Sequence, residues 1–582
     1  MSIKDPSRQR EATPTPASSP DERGWFGFLG LVCLVIVFSS LGSAALFDPD
    51  EGRNAEKARE ILLLGDWVTP HQNFVPTLDK PIFFYWLVAI SFKLFGLSEW
   101  SARLPTALAS LGCLFLVYRF ARAQFGLWPA LWSGVILVTS LEFFLLSRIV
   151  LFEMTLTLFL ALGLFSFYAA TQSTDPRWRK LHALVMYAAM GAGTLVKGPI
   201  ALVVPGMVVF SYLLFTRKWY LLSRFHLLFG TAVYLAMVVP WYAWVEIANP
   251  GYLYYFLWEE HFVRYLTPHH SRAAGWYYFF LVVGVGFLPW TLFIPLAAKS
   301  LWKRTLTDAN LFLVLWVVVP FVFFSASQSK LPHYLLPIYP ALAMLVGQTV
   351  AARIPATGRN PFGMLFSPAI LTTGLVVYLI LGAVWPRLLP SRVSSFVPQH
   401  LWLLQLYGVG MAVVFGVFIA GSLRNSWRDQ RPAYACTAIG LALFLVLTSR
   451  LMPAASAHRT SKSLADVAAP LIDPEHQIVL YSAYFGGLPF YLEMDRPIWV
   501  VQSREKGEVM DSFYVAQRRP APAAGHRQVV FTFEEFAEEW KKNELSFRVF
   551  LKEKDLPRLS SKVGVIPKTL MSLHDVVLVS NR

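Results

Sequence analysis

The chain has 582 residues, of which 55% are hydrophobic and 15% charged, and its mean hydropathy is +0.48. Soluble globular chains carry closer to a quarter charged residues, so an ordinary soluble enzyme is excluded, as is a disordered or fibrous chain. The net charge is +15, from 51 basic and 36 acidic residues. Such a surplus suggests either nucleic acid or membrane topology, and the placement of the basic residues decides between them.

Residues 1–24 are polar and rich in Pro and Ser, and read as a disordered cytoplasmic tail. From residue 25 the chain carries apolar runs long enough to cross about 30 Å of hydrocarbon as helices. They fall at 25–47, 104–118, 127–146, 149–171, 181–196, 199–216, 225–245, 275–298, 309–329, 333–352, 364–386, 401–423 and 432–449. The first run is too long for a cleaved signal peptide and reads as an uncleaved anchor. These runs predict an α-helical polytopic membrane protein of about 13 transmembrane helices, spanning residues 25–451.

With the N-terminus inside, the short inside loops carry 16 Lys and Arg and the short outside loops 5, the asymmetry of the positive-inside rule. Topology therefore accounts for the surplus charge, and no nucleic-acid partner is expected. Residues 48–103 become a long outside loop with two interfacial helices, and residues 452–582 a soluble outside domain. In that domain, short apolar strands at 477–481, 497–501, 528–532 and 576–579 alternate with helices at 461–471 and 533–543, which predicts a small α/β fold. Cys33, Cys113 and Cys436 all lie in apolar runs without zinc spacing, so no disulfide framework is expected.

Charge is scarce, and its clusters on the outside are candidate functional sites. In DPDEGRNAEKARE, Pro49 and Gly52 break the first span, and Asp50 stands where a helix N-cap belongs. Lys57, Arg59 and Glu60 read as the solvated face of an amphipathic interfacial helix. Asp48, Asp50, Glu51 and Arg53 crowd at the membrane exit and point to chemistry. Asp79 and Lys80 precede an aromatic stretch too short to span; a lysine there can reach a lipid phosphate or simply snorkel to headgroups. In WEEHFVRYLTPHHSR, His261 and Arg264 share a helix face and can bind a metal or an anion, while His269 and His270 read as hydrated loop. Glu153, close after Arg148, is either paired with it or aimed at a cavity. Lys330, His333 and Tyr334 gather at the outside end of a span, among prolines that loosen the backbone.

In chain order these segments read Asp50-Glu51-Gly52-Arg53, Gly65-Asp66-Trp67, Asp79-Lys80-Pro81, Glu260-His261 with Arg264, and Lys330 with Tyr334. This order resembles the GT-C glycosyltransferases, in particular the ArnT-like branch related to protein O-mannosyltransferases. The resemblance implies a GT-C fold in a bacterial inner membrane, with the active site and C-terminal domain on the periplasmic side. It implies inverting transfer of a sugar from a polyprenyl (undecaprenyl) phosphate donor, an aminoarabinose-type sugar to lipid A being the leading expectation. A protein or another envelope glycan is the alternative acceptor. By the same resemblance Asp50 takes the catalytic position, Glu153 a second catalytic position, and Arg53, Lys80, Arg264 and Tyr334 the donor phosphate. Asp79 and His261 take positions that can hold zinc. Asp79 stands where the family pattern has Glu, and Glu153 where it has Asp. A lipid-linked-sugar flippase is a rival from another class, but it predicts mid-membrane charges and internal repeats, and neither is visible.

Overall fold

The computed structural model describes residues 20–263, 274–302, 306–357, 430–450, 452–453, 459–502, 508–526 and 528–582. The spans expected at 364–386 and 401–423, most of the expected cytoplasmic tail, and Arg264, His269 and His270 lie outside these residues. The other expected spans are helical: α1 (Pro20–Phe38), α4 (Glu99–Phe125), α5 (Leu127–Thr139) followed by the short α6 (Leu141–Leu146), α7 (Phe152–Gln172), α8 (Pro176–Lys197), α9 (Ile200–Thr216), α10 (Leu227–Ala248), α13 (Asp308–Ala326), α14 (Tyr339–Thr357) and α15 (Gln430–Ser449). The long loop at 48–103 adds α2 (Asp50–Leu64) and α3 (Phe83–Phe95). The run at 275–298 is not one rod: it bends by 109° between α11 (Tyr278–Gly286) and α12 (Trp290–Trp302), where Pro289 cannot continue the hydrogen-bond ladder. By length and apolarity alone, six described helices suffice to cross a membrane, or seven if the bent pair is one span.

Several helix boundaries differ from expectation: α1 stops at Phe38 where the apolar run predicts 47, α4 starts at Glu99 instead of 104, and α8 at Pro176 instead of 181. The early end of α1 has a side-chain cause. Buried arginines take over the carbonyls that a helix end leaves unpaired. Arg148 donates to the carbonyls of Ile36 and Ser39, and Arg103, inside α4, donates to those of Leu41, Ala44 and Ala45. The strip between α1 and α2 is thereby held in an irregular path that apolarity alone would continue as helix. Ser98 caps α4, accepting from the Ser101 amide, and Asp175 caps α8, accepting from the Arg177 amide.

At the end of the bundle away from α2, Arg122 pairs with Glu22, Lys218 with Asp308 and Arg431 with Asp21. The residues of the expected site collect at the opposite end.

The C-terminal region is a six-stranded mixed sheet: β3 (Gln477–Tyr481), β4 (Trp499–Val501), β5 (Val530–Phe531), β6 (Phe547–Lys552), β7 (Lys568–Leu573) and β8 (Val576–Ser580), numbered after the small hairpin β1 (His71–Gln72) and β2 (Val75–Pro76). Its order is β5-β4-β3-β6-β8-β7, parallel from β5 to β6 and antiparallel through β8 and β7. Helices α16 (Lys462–Ala468) and α17 (Leu488–Tyr491) cover one face, and α19 (Phe533–Lys542) and α20 (Leu556–Val563) the other; α18 (Phe513–Arg518) lies toward the membrane bundle. A capping box, Thr532 with Glu535, starts α19. Strands β6, buried at the middle of the sheet, and β7, at its edge, fall outside the expected strands; Arg548 and Lys552 interrupt the apolar pattern of β6. Arg548 leaves the sheet to bond the Leu471 carbonyl.

The domain sits directly on α2. That helix is not a solvated interfacial helix: Glu51, Glu56, Lys57, Arg59 and Glu60 are all buried. Arg59 makes a two-pronged ion pair with Glu56 and donates to the Met494 carbonyl. Asn73, at the tip of the β1–β2 hairpin, exchanges two hydrogen bonds with Ile498. Asp48 accepts from the Ser461 hydroxyl and the Gly487 amide; burial still lifts its carboxyl to about 6.

Candidate active site

Asp50 is the first residue of α2, not its cap. The cap position is Pro49, and no side chain bonds the helix start there. The Asp50 carboxylate turns to Arg53, 2.7 Å away and one helical turn on, and stays about half exposed. Arg53 in turn donates to the Asp511 carbonyl at 2.9 Å. Burial works against its charge, but the carboxylates of Asp50, Asp511 and Asp79 outweigh that and hold it protonated. Asp50 is therefore an accessible carboxylate on a fixed cation, anchored to the C-terminal domain.

Beneath it, Glu51 is fully enclosed. Its two oxygens take Arg103 in a two-pronged bond (2.9 and 2.7 Å) and the backbone amides of Val150 and Phe47. A buried ion pair is tolerable only with such complete satisfaction. Glu51 thus supports the α2 start structurally, and Asp50 is left facing outward. In the Gly65-Asp66-Trp67 segment, Asp66 accepts from the Val68 and Thr69 amides, forming a turn, and the Trp67 carbonyl takes the Trp86 indole.

A cavity of about 500 Å³ opens at the same end of the bundle. Its walls are apolar, from α7 (Leu156, Leu160), α9 (Ile200, Val203, Val204) and α13 (Phe323, Phe324); its head carries Lys80, Glu153, Lys197, Glu260, His261, His333 and Tyr334. Lys80 lies 2.6 Å from the Glu260 carboxylate and 2.9 Å from the Asp79 carbonyl. Glu153 faces the cavity and is not paired with Arg148, whose guanidinium stacks on Phe144 and bonds backbone. Its partners are Lys197 at 2.7 Å and His333 at 3.2 Å. In the sequence Lys197 stands out only as one of the five basic residues of the short outside loops. Its one available signal was that it ends an apolar helix at the membrane surface. Lys330, the first member of its motif, donates to the Ala274 carbonyl, whereas Tyr334 lines the cavity.

Asp79 and His261 do not fit a metal ion as they stand. Asp79 Oδ1 already accepts from the Tyr255 hydroxyl (3.0 Å) and the Tyr514 amide (3.1 Å), and Oδ2 from the Ser512 hydroxyl (2.6 Å). His261 Nδ1 lies 2.6 Å from the Phe256 carbonyl, so it carries the proton there, and burial lowers the affinity of the ring for a second one. Among the described residues no group of three or more His, Cys, Asp or Glu side chains is arranged to hold a metal. Asp79 instead pins the C-terminal domain beside Lys80.

An apolar groove inside a helical bundle, headed by lysines and carboxylates, with a C-terminal sheet domain pinned beside that head, is the layout of a membrane enzyme with a long apolar cleft that ends in charge. The comparisons narrow this to a membrane glycosyltransferase. Residues 79–244 match the family model described as dolichyl-phosphate-mannose-protein mannosyltransferase. The undecaprenyl phosphate-α-4-amino-4-deoxy-L-arabinose arabinosyl transferase of Edwardsiella ictaluri is 30% identical over 72% of this chain and 76% of its own length. Its counterpart in Aeromonas salmonicida is 33% identical over 58% of this chain, and the match spans 64% of that protein's length. The crystal structure of ArnT from Cupriavidus metallidurans bound to undecaprenyl phosphate superposes with a TM-score of 0.81 at 26% identity, covering 96% of this chain and 98% of that one. The chain belongs to the undecaprenyl phosphate-α-4-amino-4-deoxy-L-arabinose arabinosyl transferase family, and is a membrane-embedded glycosyltransferase of GT-C architecture.

Proposed function

We propose that the protein transfers an aminoarabinose-type sugar from undecaprenyl phosphate to a phosphate of lipid A, at the periplasmic face of a bacterial inner membrane. The observation that carries this reading is the groove. Apolar walls suited to an isoprenoid end in a lysine, Lys80, paired with the Glu260 carboxylate. The names of the relatives supply the sugar and the carrier, and the bound lipid of the Cupriavidus enzyme supports the carrier. The 16-to-5 bias of basic residues toward the other end of the bundle supports the orientation.

In this mechanism the carrier phosphate leaves, and its negative charge grows in the transition state. A fixed cation stabilises that growing charge more than the ground state. Lys80 plays this part, with Tyr334 donating its hydroxyl and Arg264 joining by its place in the motif. The anomeric carbon gains oxocarbenium character, as in glycosyl transfer generally. Asp50, held by Arg53, orients an acceptor that is already ionised, or serves as general base to a hydroxyl acceptor, with inversion at the anomeric carbon.

The test is mass spectrometry of lipid A from cells with and without the active chain. A gain of one aminopentose per modified phosphate is expected, and Asp50→Asn is expected to abolish it while leaving protein levels intact. An unmodified lipid A alongside a new hexose on protein or another envelope glycan would redirect the acceptor assignment. Near-normal transfer by the Asp50→Asn protein would refute the role given to Asp50.

A further inference from the structure

We infer that Lys197 is a second cationic ligand for the lipid phosphate, at the same polar head of the groove as Lys80, and that Glu153 and His333 are positioning residues that hold it there. The inference rests on the polyprenyl-phosphate donor proposed for this groove.

Lys197 is the last residue of α8. Gly198, at φ +87°, and Pro199 turn the chain sharply into α9, and the lysine side chain lines the cavity. Its ammonium lies 2.7 Å from Glu153 Oε1 and 4.8 Å from the centre of the Tyr334 ring. An ammonium has three donors, and the Glu153 bond uses one of them. The ion pair is mostly buried, with side-chain exposures of 15% and 5%.

The same construction appears at Lys80, which Glu260 holds at 2.6 Å. The groove head is thus built from two lysines, each steadied by one carboxylate. His261 lines the same head, and the charges of both Lys80 and Glu260 act on its ring. A phosphate at this head meets two compact point charges, the form in which lysine binds phosphate.

Glu153 is poorly placed to act on the substrate itself. Its Oε1 is engaged by both Lys197 and His333. Its Oε2 is buried without a hydrogen-bond partner among the described residues. A carboxylate so committed orients its lysine. It is not a free base, and Asp50, half exposed, remains the carboxylate available to an acceptor.

The experiment measures binding of undecaprenyl phosphate, without sugar, to the purified full-length protein in nanodiscs by native mass spectrometry, together with donor KM and kcat for transfer. Lys197→Met should weaken binding ~10- to 100-fold, the usual range for losing a charge-assisted hydrogen bond, and Lys197→Arg should recover most of it. Glu153→Gln should raise donor KM by a larger factor than it lowers kcat. Because Lys197→Met leaves a buried carboxylate unpaired, the double variant Lys197→Met/Glu153→Gln is measured beside it and should show the same loss. Wild-type affinity in the double variant, with affinity lost in Lys80→Met, would overturn the inference and leave the donor assignment standing. No binding of undecaprenyl phosphate by the unaltered protein would overturn both.

Discussion

Lys57 offers the sharpest quantitative check on the burial of α2. It lies two turns into the helix, its ammonium 5.6 Å from the centre of the Tyr85 ring, and among the described residues it makes no ion pair or hydrogen bond. The charged groups around it are Asp79 and Glu60, which favour its proton, and Arg53 and Lys80, which oppose it. Burial dominates and brings the amine from 10.5 down to about 7. A drop of that size corresponds to ~5 kcal/mol of lost stability when the amine is charged in both folded and unfolded chains. The sign follows from proton counts. Between about 7 and 10.5 the unfolded chain holds the extra proton, so stability from this group rises with pH across that window. Below about 7 the full cost is present; above 10.5 it vanishes. Lys57→Met keeps an unbranched side chain of similar length and removes the charge. It should therefore raise the thermal unfolding midpoint of the purified full-length protein strongly at pH 6 and weakly at pH 9.5. The assay is intrinsic fluorescence on heating, reading the variant-minus-parent difference at each pH, in which the other titrating groups largely cancel. An equal gain at both pH values, or a loss at pH 6, would refute the argument, because it would mean that Asp79 compensates the buried charge in full.

Three other outcomes follow from the same geometry. Glu51→Gln places an amide where four donors converge and leaves Arg103 buried without its counter-charge, so it should cost ~3–5 kcal/mol, seen as an early melting transition in detergent. Lys80→Met should raise donor KM at least tenfold in a transfer assay with purified donor, since one charge-assisted contact to the phosphate is lost; an unchanged donor KM would remove Lys80 from the phosphate site. Asp79→Ala deletes the acceptor for Tyr255, Ser512 and Tyr514, and should speed amide hydrogen exchange in residues 509–518 while leaving exchange in β3 and β6 unchanged.

The membrane bundle was legible because its signal is local. An apolar run of sufficient length and a bias in basic residues need no knowledge of the rest of the chain, and the described helices of the bundle fall on those runs. The kinked run at 275–298 and the early end of α1 were misread for a different reason. Apolarity reports what lipid will accept, whereas the backbone path at those places is set by Pro289 in one case and by Arg103 and Arg148 in the other. The site was legible as a set of motifs but not as an arrangement. Asp50, Lys80 and Tyr334 announced themselves because charge or an aromatic hydroxyl at a membrane exit is rare. The partners that give them meaning were silent, and their distances along the chain explain why. Glu51 meets Arg103 from 52 residues away, Glu153 meets Lys197 from 44, Arg53 meets Asp511 from 458 and Asp79 meets Ser512 from 433. Helical spacing made α2 look like an amphipathic helix with a wet face. That inference holds only when water is what lies opposite, and here a sheet domain encoded some 400 residues later takes its place. The charges of α2 are therefore the joint between the bundle and the domain. Perturbing that joint at Asp79 or Arg53 should reach the groove through Lys80 and Asp50, even though β3 and β6 contribute no residue to its walls.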